Sequence, residues 1–316
     1  MLTRSMRRTV SIIGAGRVGS TLGKRLSARG WRIGGVVTRS AASARAAVRA
    51  IGAGTALAAD TAFPLQGTAL AVPRHKSYPR ALAPVIDFLL AADLILFATP
   101  DDALPAAAAE LARAGGNAWR GKIALHTSAT LDRSALAPLA RCGAATGSLH
   151  PMQAFGGAIV PKLNGVIFAI EGDAKARRVA QSIAKSLGGI PIPIATRDKP
   201  VYHAAAVMAG GSLYPAIEAG LQLLIGIGFT RASAVQTLLP LARQILDNIE
   251  RIGPRAAWTG PLSRDDYAIV AKHMRALRRF PREIQDSYAA LALLAGRLLA
   301  KHPAAALKQI QRALKV

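Results

Sequence analysis

The sequence predicts a doubly wound, parallel α/β sheet followed by an all-helical region. Three observations carry this reading. Residues 9–14 ("TVSIIG") form a β-rich run that ends in a glycine turn and opens a helical period. Strand-like and helix-like runs then alternate as far as residue 194, the rhythm that builds parallel sheets. From Lys199 onward the strand-like runs stop and long helical periods take over. The boundary falls near residue 197, which gives domains of 1–197 and 198–316.

The elements follow in order. Residues 17–29 read as a helix closed by Gly30, because glycine accepts the left-handed conformation that ends helices. Residues 31–38 are a second strand and 41–53 a second helix. Residues 54–80 hold three prolines and no clean period, and read as an inserted loop or an excursion without fixed structure. The apolar stretch 81–100 contains Asp87 and Asp93, which hydrocarbon would reject, so it reads as a helix and a buried strand and not as a membrane span. Strands at 121–129, 143–149, 165–172 and 189–194 alternate with helices at 102–114, 131–141 and 174–187, except between 149 and 165. In the helical region Thr230 suits an N-cap, and Gly253 with Pro254 is a stop signal.

Composition excludes several classes. The 316 residues include 41 Lys or Arg against 17 Asp or Glu, a net charge of +24. The basic residues are scattered among alanines, without blocks or interleaved aromatics, so no specific nucleic-acid partner is expected. Cys142 is the single cysteine, which rules out an intrachain disulfide and a cysteine-held zinc. The basic start of the chain runs into a glycine turn and not a cleavage site, so a soluble, cytoplasmic protein is expected.

The turn "GAGRVG" spans Gly14, Ala15, Gly16, Arg17, Val18 and Gly19 in the spacing G-x-G-x-x-G. It follows a strand and opens a helix inside a β-α-β unit, the setting in which this Rossmann-type spacing holds a dinucleotide pyrophosphate. Gly14 allows the tight turn, Gly16 lets backbone approach phosphate, and Gly19 lets the helix lie close on the strand. An NAD site wants an acid about 20 residues on, at the end of the second strand. Here no Asp or Glu occurs before Asp60, and that strand ends in Thr38, Arg39 and Ser40. Arg39 suits a 2′-phosphate, with Thr38 and Ser40 as hydrogen-bond donors, so NADP(H) is expected. Thr99, Pro100 and Asp101 would line the nicotinamide half of the cleft; Asp101 or Asp102 also suits a helix N-cap.

Ligands of open α/β sheets sit at the carboxyl ends of the strands. Two ends are polar: "HTSAT", with His126 and Ser128, and "GSLHPMQ", with His150 and Gln153. Hydride transfer to a carbonyl or imine needs a proton donor, and histidine titrates in the useful range. His150 is the expected acid/base, Ser128 its orienting partner, and His203 a group closing over the cleft from the helix that begins at Lys199. His126, Gln153, Lys199 and Arg264 are the expected substrate contacts. The alternative for each histidine is a core residue satisfied by backbone, and for Ser263 a helix cap.

The segments "GAGRVG", "FATPDDAL", "HTSAT", "GSLHPMQAF", "FAIEGD", "YHAAAVMA" and "WTGPLSRDD" run in order along the chain. They resemble a family that joins a Rossmann-like NADP-binding domain to a helical C-terminal domain of unknown function. The resemblance implies a helical half like that of 6-phosphogluconate dehydrogenase, kinship with pyrroline-5-carboxylate reductase, and a homodimer formed through that half. It supplies no substrate. The family usually has glycine at Ala129, asparagine at Gly211 and glycine at Asp265. Prephenate-type dehydrogenases resemble the chain at "HPM", and pyrroline-5-carboxylate reductase at "GSLYPAIEAG", although its closing Ser-Pro-Gly-Gly-Thr-Thr signature is missing. The reading that results is an NADP(H)-dependent oxidoreductase of a small, carboxylate-bearing carbonyl, imine or hydroxy compound. Its alternatives are a prephenate-type dehydrogenase or pyrroline-5-carboxylate reductase-like enzyme, a non-catalytic NADP(H)-binding sensor or partner protein, and a polyanion binder.

Overall fold

The computed structural model describes residues 9–58, 83–156 and 159–315. These form two compact units that divide at Met208/Ala209. The basic start of the chain, and all but the first residues of the 54–80 excursion, lie outside the described residues.

The first unit contains β1 (Thr9–Ile13), α1 (Arg17–Ser27), β2 (Arg32–Thr38), α2 (Ala41–Ile51) and β3 (Thr55–Ala58). It continues with α3 (Ala83–Leu90), β4 (Leu94–Phe97), α4 (Leu104–Gly115), β5 (Ile123–His126), α5 (Ala137–Arg141) and β6 (Ala145–Pro151). β7 (Ile167–Gly172), α6 (Ala174–Ser186), β8 (Ile190–Pro193) and α7 (Lys199–Ala206) complete it. The sheet order is β3-β2-β1-β4-β5-β6-β7-β8. The strand order reverses at β1, so the crevice between the carboxyl ends of β1 and β4 is where such sheets bind ligands.

Strands alternate their side chains between two cores. Val10, Ile12, Leu94 and Leu96 face α1, α2 and α6, where Leu22, Leu26 and Ile183 are buried. Ile95 and Phe97 face α3, α4 and α5, with Leu89, Leu111 and Leu139. Each such side chain contributes about 1.5–3 kcal/mol of transfer free energy. Trp119 is fully buried and donates its indole N–H to Leu111 O at 2.8 Å.

Two features differ from the sequence expectation. The start of the 54–80 stretch is β3, a four-residue strand pairing parallel to β2. The last two strands run against the other six, because β6 and β7 are antiparallel. No helix separates them among the described residues, and without a crossover the chain returns in the opposite sense. The connecting loop leaves the carboxyl end of β6 and is held on α1. There Arg25 donates to Val160 O at 3.1 Å and to Pro161 O at 2.9 and 3.2 Å.

The second unit is helical: α8 (Leu213–Ile225), α9 (Arg231–Ala257), α10 (Tyr267–Leu277), α11 (Arg282–Leu298) and α12 (Pro303–Leu314). Thr230 caps α9 by accepting the Ser233 N–H. Gly253, at φ 78°, breaks the helix where the sequence places a stop, and one further turn follows. The core is small, built on Ala292, Ala300, Ala306 and Ile310. Leu241, Ile245, Ile249 and Ile252 form an exposed stripe on α9, with Leu241 at 58% and Ile252 at 60% exposure. No described helix is long and apolar enough to cross a membrane.

Candidate active site

The glycine turn is built as its residues require. Gly14 sits at φ +81°, and a Cβ there would lie 2.7 Å from the backbone of Ala98 and Thr99. Its N–H donates to Val37 O at 2.8 Å, which ties the turn to the end of β2. A Cβ on Gly19 would collide with Gly14 O, so α1 lies against its own entry turn. Gly16 has nothing within 4 Å of its would-be Cβ: the space above it is open. The first backbone N–H groups of α1 have no helical acceptor and carry the positive end of the helix dipole into that space. Thr99 Oγ1, beside the turn, is buried and finds no partner among the described residues. Such an orphan costs about 1–3 kcal/mol unless a ligand meets it.

At the end of β2, Ser40 caps α2 by accepting the Ser43 N–H, and Thr38 Oγ1 donates to Ser40 O. Both hydroxyls serve the local turn. Arg39 is exposed and has no hydrogen bond or ion pair among the described residues. No carboxylate occurs in residues 9–58 to compete for it.

Asp101 does not cap α4, whose N-cap is Ala103 without a side-chain bond. Its Oδ2 accepts from Ser128 Oγ at 2.8 Å and from Thr130 Oγ1 at 2.6 Å. Ser128 Oγ also accepts the N–H groups of Thr130 and Leu131. The Ser128 hydroxyl is thus spent on the β4–β5 loop pair and is not brought to His150. His126 is fully buried; its Nδ1 accepts the Ser128 N–H at 3.2 Å and its Nε2 lies 3.0 Å from Asp132 O. Those partners fix the Nε2–H tautomer and leave neither nitrogen for a substrate, which corrects its expected role. Burial, then Lys199, pushes its pKa down to about 4.

His150 keeps company that the sequence reading did not include. Its Nδ1 lies 3.1 Å from Tyr202 Oη, with the rings edge-on at 88°. Burial, the Lys199 ammonium and His203 push His150 down to about 4. Burial pushes Tyr202 up to about 12. Both groups are therefore neutral near pH 7. Lys199, 1% exposed, donates to Ser148 Oγ at 3.0 Å and Ser128 O at 3.5 Å, and forms no ion pair among the described residues. Burial lowers its pKa, partly offset by Glu171, Asp132 and Asp101. Lys199, Tyr202 and His203 stand at i, i+3 and i+4 on α7, one helical face, and Ser148 and His150 share one face of β6.

Gln153 is used within its own loop, donating to Lys162 O while Oε1 accepts the Ala154 N–H. Arg264 is exposed in the helical unit. Next to it, Asp265 adopts φ 58°, a left-handed conformation that glycine accepts freely and Asp or Asn tolerate better than other residues. That accounts for the glycine usual at this place in the resembling family. Ser263 does not cap α10; Asp266 does, accepting the Ile269 N–H.

The fold and this strand-end cluster define the class: a Rossmann-like domain joined to a helical domain. A protein of Bacteroides fragilis assigned as an NADP oxidoreductase has the same fold, with TM-score 0.67 and 20% identity over 90% of this chain and 95% of its own. So do an Aspergillus terreus reductive aminase solved with NADPH and ethyl-5-oxohexanoate (TM-score 0.61, 16% identity, 97% and 93% covered) and Plasmodium falciparum pyrroline carboxylate reductase solved with NADP (0.53, 12%, 97% and 95%). No curated protein matches the chain by sequence. Residues 77–151 match a Rossmann-like domain and residues 166–295 match the domain of unknown function DUF2520. The chain thus combines a Rossmann-like domain with DUF2520, and the second match takes in β7, α6 and β8, the part of the sheet beyond the reversal.

Proposed function

We propose that the protein is an NADP(H)-dependent oxidoreductase of a small, carboxylate-bearing carbonyl, imine or hydroxy compound. The observation that carries this is the open space at Gly16, framed by the free N–H groups of α1, the unpartnered Thr99 hydroxyl and the unpaired Arg39 cation. The residues fit the cofactor: phosphate at α1, 2′-phosphate at Arg39, nicotinamide near Thr99 and Pro100. When bound, NADPH supplies a hydride to the electrophilic carbon. The three similar structures, one assigned as an NADP oxidoreductase and two solved with NADPH or NADP, support the same cofactor.

His150 and Tyr202 handle the proton. With the imidazole neutral and donating from Nδ1 to the phenol oxygen, the phenol hydrogen is left for the oxygen or nitrogen that gains charge in the substrate. Lys199 makes the surroundings positive, which favours an anionic substrate. A titration of the full chain with NADPH and NADH tests the reading. NADPH is expected to bind at least tenfold more tightly; binding of neither would remove the oxidoreductase reading, and equal affinities would remove the NADP assignment.

The working unit is a homodimer joined through the helical domain. The apolar stripe on α9, with Leu291, Leu294 and Leu298 exposed on α11, supports it, since a large exposed apolar surface marks a contact. Leu241→Asp with Ile245→Asp is expected to convert the protein from dimer to monomer in light scattering; an unchanged mass would move the interface elsewhere.

A further inference from the structure

The helical unit holds a cavity of about 760 Å³ that the oxidoreductase reading does not use. Its size is that of a small-molecule site, for which about 300–1,000 Å³ is usual. Its apolar side is made by Trp258, Leu262, Ala300 and Ala306, all part of the small helical core. The lining also carries three exposed basic residues: Arg255 from the end of α9, and Lys301 and His302 from the α11–α12 connection.

Arg255 donates to Leu298 O, and neither it nor Lys301 or His302 forms an ion pair among the described residues. Asp265 is the acid of the lining, and its Oδ1 is taken by the Tyr267 hydroxyl at 2.7 Å. The backbone around it is held in an uncommon shape, with Asp265 itself left-handed and Gly260 at φ 101°. Asp265 is the one carboxylate of the lining beside Arg255 and Lys301, and the net charge of +24 leaves few others in the chain to meet them. Two aromatic side chains, Trp258 and Tyr267, are among the lining residues.

We propose that this cavity is a binding site for a small aromatic carboxylate. The ring lies against Trp258 and the apolar floor, and the carboxylate meets Arg255 and Lys301. A planar guanidinium matches a carboxylate in two parallel hydrogen bonds. The site lies wholly within the helical unit and stands independently of NADP(H) binding.

Phenylacetate, acetate and inorganic phosphate are the probes, each titrated into the full-length protein. Trp258 is the natural reporter, because the other two tryptophans, Trp31 and Trp119, are buried in the sheet unit. Phenylacetate is expected to quench emission saturably and to bind at least tenfold more tightly than acetate. Arg255→Gln and Lys301→Gln are each expected to weaken it by about tenfold or more, whereas Arg251→Gln, a neighbouring exposed cation outside the cavity, leaves it unchanged. Trp258→Phe removes the optical signal, and calorimetry then reads the binding directly. Absence of saturable binding overturns the proposal. Binding of phosphate or acetate as tight as that of phenylacetate overturns the aromatic class. Equal losses in Arg251→Gln and the cavity variants would show only the general charge of the surface, and overturn the site.

Discussion

Arg39→Asp is expected to lower NADPH affinity by roughly 100-fold and to leave NADH affinity equal or improved. Charge-assisted hydrogen bonds to a phosphate are worth about 1.5–3 kcal/mol, and a carboxylate in the same place adds repulsion. The Gly14 N–H is bonded to Val37 O, two residues before Arg39, so the glycine turn and Arg39 lie at the same end of β2. No acid stands within residues 9–58 to neutralise the arginine or to hold a ribose 2′-hydroxyl. The substituted aspartate would supply that acid, as NAD sites do. Calorimetric titration of both cofactors against both proteins measures it. A variant that keeps its full preference for NADPH would show that Arg39 is an ordinary surface charge.

Acid is expected to destabilise the protein between pH 6.5 and about 4. His126 and His150 are both held neutral in the fold, at about 4 against 6.5. The unfolded chain binds protons in this window that the native chain refuses, so stability is complete above pH 6.5 and drains as pH falls through it. For the fully buried His126 the difference of 2.5 units (6.5 − 4) amounts to roughly 3 kcal/mol. His150 adds to this, and Glu171, which burial holds above its usual range, opposes it in part. Lys199 acts on both histidines, with His203 and Asp101 also facing His150, and Asp101 and Asp132 facing His126. Lys199→Met should therefore raise both pKa values and flatten the acid limb. Urea midpoints at pH 7, 6, 5 and 4, with imidazole proton shifts followed by NMR, measure both effects. Equal midpoints at pH 7 and 4.5, or an identical profile in Lys199→Met, would refute the electrostatic account.

The parts of the site that were legible in the sequence were those in which spacing and backbone conformation are one constraint. Gly14 must be glycine because of its φ and its closeness to Ala98, and the spacing to Gly16 and Gly19 carries the rest. The direction of β7 was not legible, because a strand pattern has no arrow and only the missing helix between β6 and β7 hinted at the turn back. β3 escaped because four residues of "TALA" before a proline-rich run have too little period. His126 and His150 look alike on paper; only the folded chain shows one sealed by backbone and the other facing Tyr202. Tyr202 was overlooked beside His203, although its place three residues after Lys199 puts both on one face of α7, a signal the sequence did contain.

Arg25 gives the loop behind His150 a mechanical meaning. One end of α1 opens on the glycine turn, where phosphate is proposed to bind, and the other end grips, through three guanidinium hydrogen bonds, the segment that leaves the strand of His150. A helix of eleven residues thereby joins the proposed cofactor anchorage to the loop that follows the strand of His150. In the oxidoreductase proposed above, Arg25 thereby couples the place of the cofactor to that of the strand bearing His150.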